Sequence, residues 1–133
     1  MGGVILLDAN VLIAITDAND AHHRAARELV TEADEELASH ALTAAEVLLR
    51  AAQRGVEEAL LRILRDRLGV TVLDGLGPAW PLTVARTRAH TGLRHPDALV
   101  LATAEHLDAA VATFDDALAR AADRAGRLYR ASP

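Results

Sequence analysis

Apolar residues along this chain fall into short runs whose spacing alternates between that of a strand and that of a helix. Val4, Ile5, Leu6 and Leu7 form an unbroken apolar run, followed by Asp8 and then a helical pattern from Val11 to Ile15. The order reads as strand, carboxylate, helix. Asp20 is placed to cap a helix over 20–33, with Leu29 and Val30 inward and the acidic stretch 32–36 in water. Residues 37–41 read as a weak strand. Thr43 then caps a helix over 43–54 that Gly55 stops, and a second helix covers 56–68 and ends at Gly69. A clear strand follows at 70–73. Gly75 and Gly77 mark a loop before a helix over 79–90. Pro96 suits the first turn of a helix over 96–107, residues 109–112 form a strand, and 115–125 the last helix. Gly126 ends it, leaving 127–130 as a short final strand.

Short buried strands alternating with helices require right-handed crossovers and a mainly parallel sheet covered on both faces. The expected fold is therefore α/β, a three-layer sandwich with a five-stranded, mainly parallel sheet flanked by helices. At 133 residues, with no repeat, low-complexity segment or linker, the chain reads as a single domain over 1–133. In such sheets ligands collect at the carboxyl ends of the strands. Asp8 and Asp115 each follow a predicted strand directly.

Composition narrows the available chemistry. There is no cysteine, which removes disulfides, thiolate zinc sites and cysteine nucleophiles. All 14 cationic residues are arginine, so no reaction that needs a lysine amine runs on this chain alone. The formal net charge of -5 repels nucleic acid on average, so any contact with RNA or DNA has to be local. Met1 leads into the first apolar run without a basic leader, and no apolar stretch is long enough for a membrane span. A cytoplasmic protein with no membrane partner is expected.

Four acids stand beside apolar runs where a strand ends or a helix begins: Asp8 in LLDANVLI, Glu46 in TAAEVLL, Asp97 in HPDALVLATA and Asp115 in VATFDDALARAA. Each has an ordinary structural explanation. Asp8 and Asp115 can cap the helices that follow them, Thr43 and Glu46 have the spacing of a capping box, and Asp97 complements a helix dipole. Capping gives no reason, however, for four carboxylates to meet at one sheet edge. If they meet, they form an oxygen-donor site for Mg²⁺ or Mn²⁺, with Asn10, Thr113 and Asp116 as supporting polar groups. The six histidines show no ligand spacing, and only His95, close to Asp97, is a candidate substrate contact. The glycines at 75 and 77 lack the context of a phosphate loop. With one Trp, one Tyr and one Phe, an aromatic platform for bases is not expected, and Trp80 beside Pro81 reads as a packing anchor.

In order and spacing these acids resemble the PIN-domain ribonucleases, and specifically the VapC-type toxins of bacterial toxin–antitoxin pairs. The resemblance covers essentially the whole chain. LLDANVLI is similar to the family's opening strand with its first acid, Asp8, and its polar companion, Asn10. TAAEVL matches the second-acid helix at Glu46, PDALVLATA the third at Asp97, and ATFDDALARAA the closing T-x-D element at Thr113 and Asp115. Asp116 competes with Asp115 for the fourth place, and Asp115 is preferred because it stands two residues after Thr113. The resemblance implies a five-stranded parallel sheet and a Mg²⁺- or Mn²⁺-dependent endoribonuclease. It further implies frequent homodimers and inhibition by a small cognate antitoxin of the VapB type. Arg86, Arg88 and Arg94 are then candidates to hold flanking phosphates of the RNA.

Two other enzyme families share fragments of this pattern. A haloacid-dehalogenase-like phosphatase would use LLDAN and FDD, but expects a second aspartate where Asn10 stands and also a lysine. A response-regulator receiver fails the same lysine test. From another class, a non-catalytic PIN-like binding module would keep the fold, and its usual sign is a missing acid.

Overall fold

The computed structural model describes residues 3–75 and 77–131 of the chain. Met1, Gly2, Ser132, Pro133 and Leu76, the centre of the predicted 75–77 loop, lie outside the described residues. The elements run β1 (Val4–Leu7), α1 (Ala9–Thr16), α2 (His23–Glu32), β2 (Glu36–His40), α3 (Ala41–Gln53) and α4 (Glu57–Arg62). Then come β3 (Val70–Leu73), α5 (Trp80–Thr91), α6 (His95–Leu107), β4 (Ala110–Ala112) and α7 (Asp116–Arg124). The four strands are all parallel, in the order β3-β2-β1-β4.

Strand alternation builds two cores from this one sheet. Ile5, Leu7, Leu37, Val70 and Ala112 face one side, against Val11 and Leu12 of α1, Val47 of α3 and the buried Leu64. Leu6, Ala38 and Val111 face the other, against α6, Val84 of α5 and Leu118 of α7. Helices α1 to α4 thus cover one face and α5 to α7 the other, which is the three-layer arrangement expected. Helix α6 is buried all round from Ala98 to Ala104, and its alanines let it approach β1 and β4 closely. No helix among the described residues is long and apolar enough to cross a membrane.

Four expectations need correction. The predicted fifth strand at 127–130 is reduced to one parallel bridge between Val111 and Leu128, held by two backbone hydrogen bonds, Val111 N to Arg127 O at 2.7 Å and Tyr129 N to Val111 O at 2.8 Å. The chain leaves before a ladder can extend. Asp20 does not cap α2; its side chain accepts from His22 N at 2.8 Å and the helix starts at His23. The helix over 56–68 is α4 followed by a widened π turn, Ile63–Arg67, in which Leu68 N donates to Ile63 O at 3.0 Å. That turn keeps Leu64 fully buried.

The fourth correction concerns α3, which begins at Ala41 rather than after Thr43. His40, the last residue of β2, is its cap, with Nδ1 accepting from Leu42 N at 3.0 Å. Thr43 lies inside the helix and is buried. The capping-box role for Glu46 therefore disappears, because Glu46 sits beyond the first turn.

Candidate active site

The strand order places the site. From β1 the chain builds outward through β2 and β3, then returns to the opposite side of β1 with β4, so the direction of winding reverses between β1 and β4. At such a reversal the loops leaving the two strands diverge to opposite faces and open a crevice at their carboxyl ends. Asp8 follows β1 and Thr113 follows β4 at that place. The Asp8 N–H donates to Ala112 O at 3.0 Å, which holds the two strand ends in register.

Thr113 joins the polar groups of both loops. Its hydroxyl donates to Asp8 Oδ2 at 2.8 Å and accepts from Asn10 Nδ2 at 3.3 Å and from Asp115 N at 3.0 Å. One donor and two acceptors use the whole capacity of a hydroxyl. Asn10 completes the tie by accepting from Phe114 N at 3.1 Å through Oδ1. Asp8 Oδ1 accepts from Ala9 N at 2.8 Å, and Asp115 caps α7 through Oδ2, which accepts from Leu118 N at 2.8 Å. Capping and convergence thus coexist in Asp8 and Asp115.

Asp97 occupies the first turn of α6 and is half-buried. Its carboxyl is pushed up to about 6, first by burial and then by the charges of Asp115, Asp8 and Glu46, with Arg94 opposing. All three of the other acids therefore lie within electrostatic reach of Asp97. Asp8, only 6 % exposed, is also raised, chiefly by burial and further by Asp115, against the lowering effect of its bonds from Thr113 and Ala9. None of the four takes part in an ion pair among the described residues. Asp116 is exposed in the first turn of α7, and it is Asp115 whose charge reaches Asp8 and Asp97.

A divalent cation fits this donor set in two respects. The groups are hard oxygen ligands, and the negative charge that raises Asp97 is opposed only by Arg94. No three acidic or imidazole groups among the described residues are already gathered as a ligand cluster, and Glu46 is exposed on α3.

Beside the acids lies an apolar cleft of about 370 Å³, with Glu46, Trp80, His95 and Pro96 among its walls. Arg88 is anchored here: Nε donates to Leu93 O at 3.1 Å and Nη1 to His95 Nδ1 at 3.0 Å. Arg94 lies at the start of α6 and Arg86 is exposed on α5. Two features escaped the sequence reading. His40 was unremarkable there, yet it caps the helix that carries Glu46. Its ring is buried with Nε2 unpaired, and burial lowers its pKa against the raising effect of Asp74. His22 stacks on Phe114 at 4.3 Å, beside Thr113. Neither has a signal in spacing, because both depend on residues far apart in sequence or on where a helix starts.

A comparison with protein-family models matches the PIN domain over residues 5–124. A search of the curated proteins gave no match. Among solved structures the fold is similar to that of VapC20 of Mycobacterium tuberculosis, a sarcin–ricin loop cleaving toxin. That likeness has a TM-score of 0.73 at 17% identity, over 97% of this chain and 99% of that one. It is also similar to a toxin–antitoxin complex from Klebsiella pneumoniae (TM-score 0.67, 22% identity, 84% and 86% covered). A third likeness is to FitAcB from Neisseria gonorrhoeae (TM-score 0.63, 25% identity, 90% and 93% covered).

Proposed function

Since this chain belongs to the PIN-domain family, we propose that it is a Mg²⁺- or Mn²⁺-dependent endoribonuclease acting as the toxin of a toxin–antitoxin pair. The observation that carries the proposal is the reversal between β1 and β4, where Thr113 ties Asp8 to the start of α7 and where the charges of Asp115, Asp8 and Glu46 all reach Asp97. Asp8, Glu46, Asp97 and Asp115 are the residues that would hold the ion. Bound there, it would supply positive charge to accept a phosphodiester and would lower the pKa of a water for attack on phosphorus.

The chain's own groups prepare that chemistry. Thr113 fixes the carboxylate of Asp8 and, through its bond from Asp115 N, the start of α7. Asn10 holds the β4 loop against α1. Asp97, with a carboxyl near 6, gives up its proton close to neutral pH, so occupation of the site is coupled to proton release. Arg94, whose charge reaches Asp97, and Arg88, which bonds to His95, would hold flanking phosphates of the RNA.

On this reading the partners are an RNA substrate, a cognate antitoxin of the VapB type and a second copy of the chain. Support for a protein partner comes from a groove of about 610 Å³ between α1, α3 and α4. Ile13, Val56 and Ile63 are exposed in it beside Arg50 and Arg54. Because no ligand cluster is already gathered among the described residues, a non-catalytic binding module is the second reading. Incubating the purified protein with total cellular RNA, with and without Mg²⁺ or Mn²⁺, and mapping the ends separates the two. Defined cuts that need the ion are expected; intact RNA under every divalent ion overturns the enzyme reading.

A further inference from the structure

Trp80 is the only tryptophan of the chain, and it stands 36 % exposed in a protein with three aromatic residues in all. As a packing anchor it would be covered. Instead it lines the apolar cleft of about 370 Å³ with Leu42, Val84 and Leu99, while Glu46 and His95 form other parts of the wall. The cleft adjoins the candidate active site, because Glu46 lines it and His95 and Pro96 of its wall directly precede Asp97 in the first turn of α6. A phosphate has no use for such apolar walls. A planar, weakly polar group does.

His95 adds a polar edge of known sense. Its Nδ1 faces Arg88 Nη1 at 3.0 Å, and a guanidinium can only donate, so Nδ1 is the acceptor and the ring proton sits on Nε2. The free polar atom of His95 is therefore an N–H donor. The cleft is also at the small end of ligand pockets. It has room for one base, whereas a second protein chain needs on the order of 800 Å² of surface on each side.

We propose that this cleft takes one unpaired nucleobase of the substrate RNA, adjoining the cleaved phosphodiester, stacked on Trp80 with an acceptor edge toward His95 Nε2–H. The inference rests on the ribonuclease reading for its substrate, and Trp80 is a specificity-determining residue within it. Cutting would then be confined to sites where that base is unstacked from its neighbours.

A lone tryptophan makes the test direct. Asp97→Asn protein, in which cutting is off and phosphate repulsion reduced, is titrated with single-stranded RNA hexamers of uridine, cytidine or adenosine and with the matching abasic ribose-phosphate hexamer. Saturable quenching of Trp80 emission by at least one base-bearing hexamer, and none by the abasic one, is expected. In otherwise wild-type protein, Trp80→Ala should raise KM for an oligonucleotide carrying a mapped site by roughly tenfold, since one base stacked on an aromatic contributes on that order. Trp80→Phe should recover most of the loss and Trp80→Leu should not, because leucine keeps the apolar volume without the ring. Equal behaviour of the Leu variant and wild type, or equal quenching by base-bearing and abasic hexamers, overturns the proposal. So does a Trp80→Ala protein that sediments as a smaller species while KM stays unchanged, which would assign the cleft to a face between copies. Base-dependent quenching in a protein that cuts no RNA under any divalent ion would support the base site and overturn the nuclease reading alone.

Discussion

Thr113 shows how much one small side chain decides in this site. Its hydroxyl is fully engaged by Asp8, Asn10 and Asp115 N, so replacing it strands three partners at once. Thr113→Val keeps shape and volume, and it should cost about 1–3 kcal/mol in chemical denaturation. RNA cleavage should fall at the same time, because Asp8 loses the bond that orients it. Thr113→Ser should restore most of both. The acids themselves should behave differently. Asp8→Asn and Asp97→Asn are expected to lose metal-dependent cleavage by roughly 100-fold or more while remaining folded, since a lost ligand removes affinity for the ion and leaves the packing. Circular dichroism together with end mapping checks this, and wild-type turnover in either variant would remove the metal-site assignment.

Helix α3 depends on a cap that is neither serine nor aspartate. His40 Nδ1 accepts from Leu42 N only while the ring is neutral, and burial holds its pKa below the usual 6.5 against the raising charge of Asp74. For a base with a lowered folded pKa, the stabilising contribution is present above 6.5 and is lost as pH falls through the folded value. His40→Asn, which can still cap, should flatten that acid-side loss, while His40→Ala should remove the cap at every pH and cost about 1–2 kcal/mol. Thermal melts across mildly acidic pH distinguish the two. The cap also sets where Glu46 stands, since it fixes the first turn of the helix that carries it. Among the other helix ends, α5 stops at Gly92 with a φ of 74°, a left-handed position that leads the chain toward Arg94 and Asp97. Gly92→Ala should therefore destabilise by about 1 kcal/mol through backbone strain alone, since open space surrounds its Cα.

Across the whole molecule the metal-free site is a source of instability. The Asp97 carboxyl rises from 3.8 to about 6 on folding, so between those values the folded state binds the proton more tightly. Its stabilising contribution is complete below 3.8 and is lost as pH rises through 6. In EDTA near neutral pH, Asp97→Asn should raise the melting temperature by roughly 2–6 °C, and the gain should vanish in acid. An unchanged or lower value would mean that the carboxylates act as separate caps. Regulation belongs to the same scale. Four acids whose charges reach one another accept an arginine or lysine from a partner as readily as a metal ion, and the groove between α1, α3 and α4, in which Ile13, Val56 and Ile63 are exposed, can take an amphipathic segment. Expression of the chain alone should arrest growth, and co-expression of a small adjacent gene encoding the antitoxin should restore it. Cleavage without any such partner gene would keep the nuclease reading and remove the toxin reading.

Much of this protein follows from the order of its residues alone. The alternation of apolar runs with 3.6-residue patterns located every helix and four strands, because burial on both sheet faces demands continuous apolar strands. Asp8 and Asp115 were legible as strand-end acids for the same reason, and the glycines marked helix ends because their left-handed backbone conformation disfavours other residues. Local patterns failed where the deciding partner was remote. The cap of α3 shifted to His40 once β2 ran straight into the helix, and Glu46 was thereby freed from a capping box. The last strand shrank to a bridge because Val111 alone receives it. Trp80 became part of a cleft wall only when α5 and α6 packed together and the first turns of α3 came to line the same cleft. The strand order, which reverses between β1 and β4, is likewise a tertiary outcome, and it brings Asp8 within 2.8 Å of Thr113 across 105 residues of chain. Sequence determines which carboxylates stand at strand and helix ends, since that depends on neighbours a few residues away. Which of them share an electrostatic field is decided only when the crossovers close.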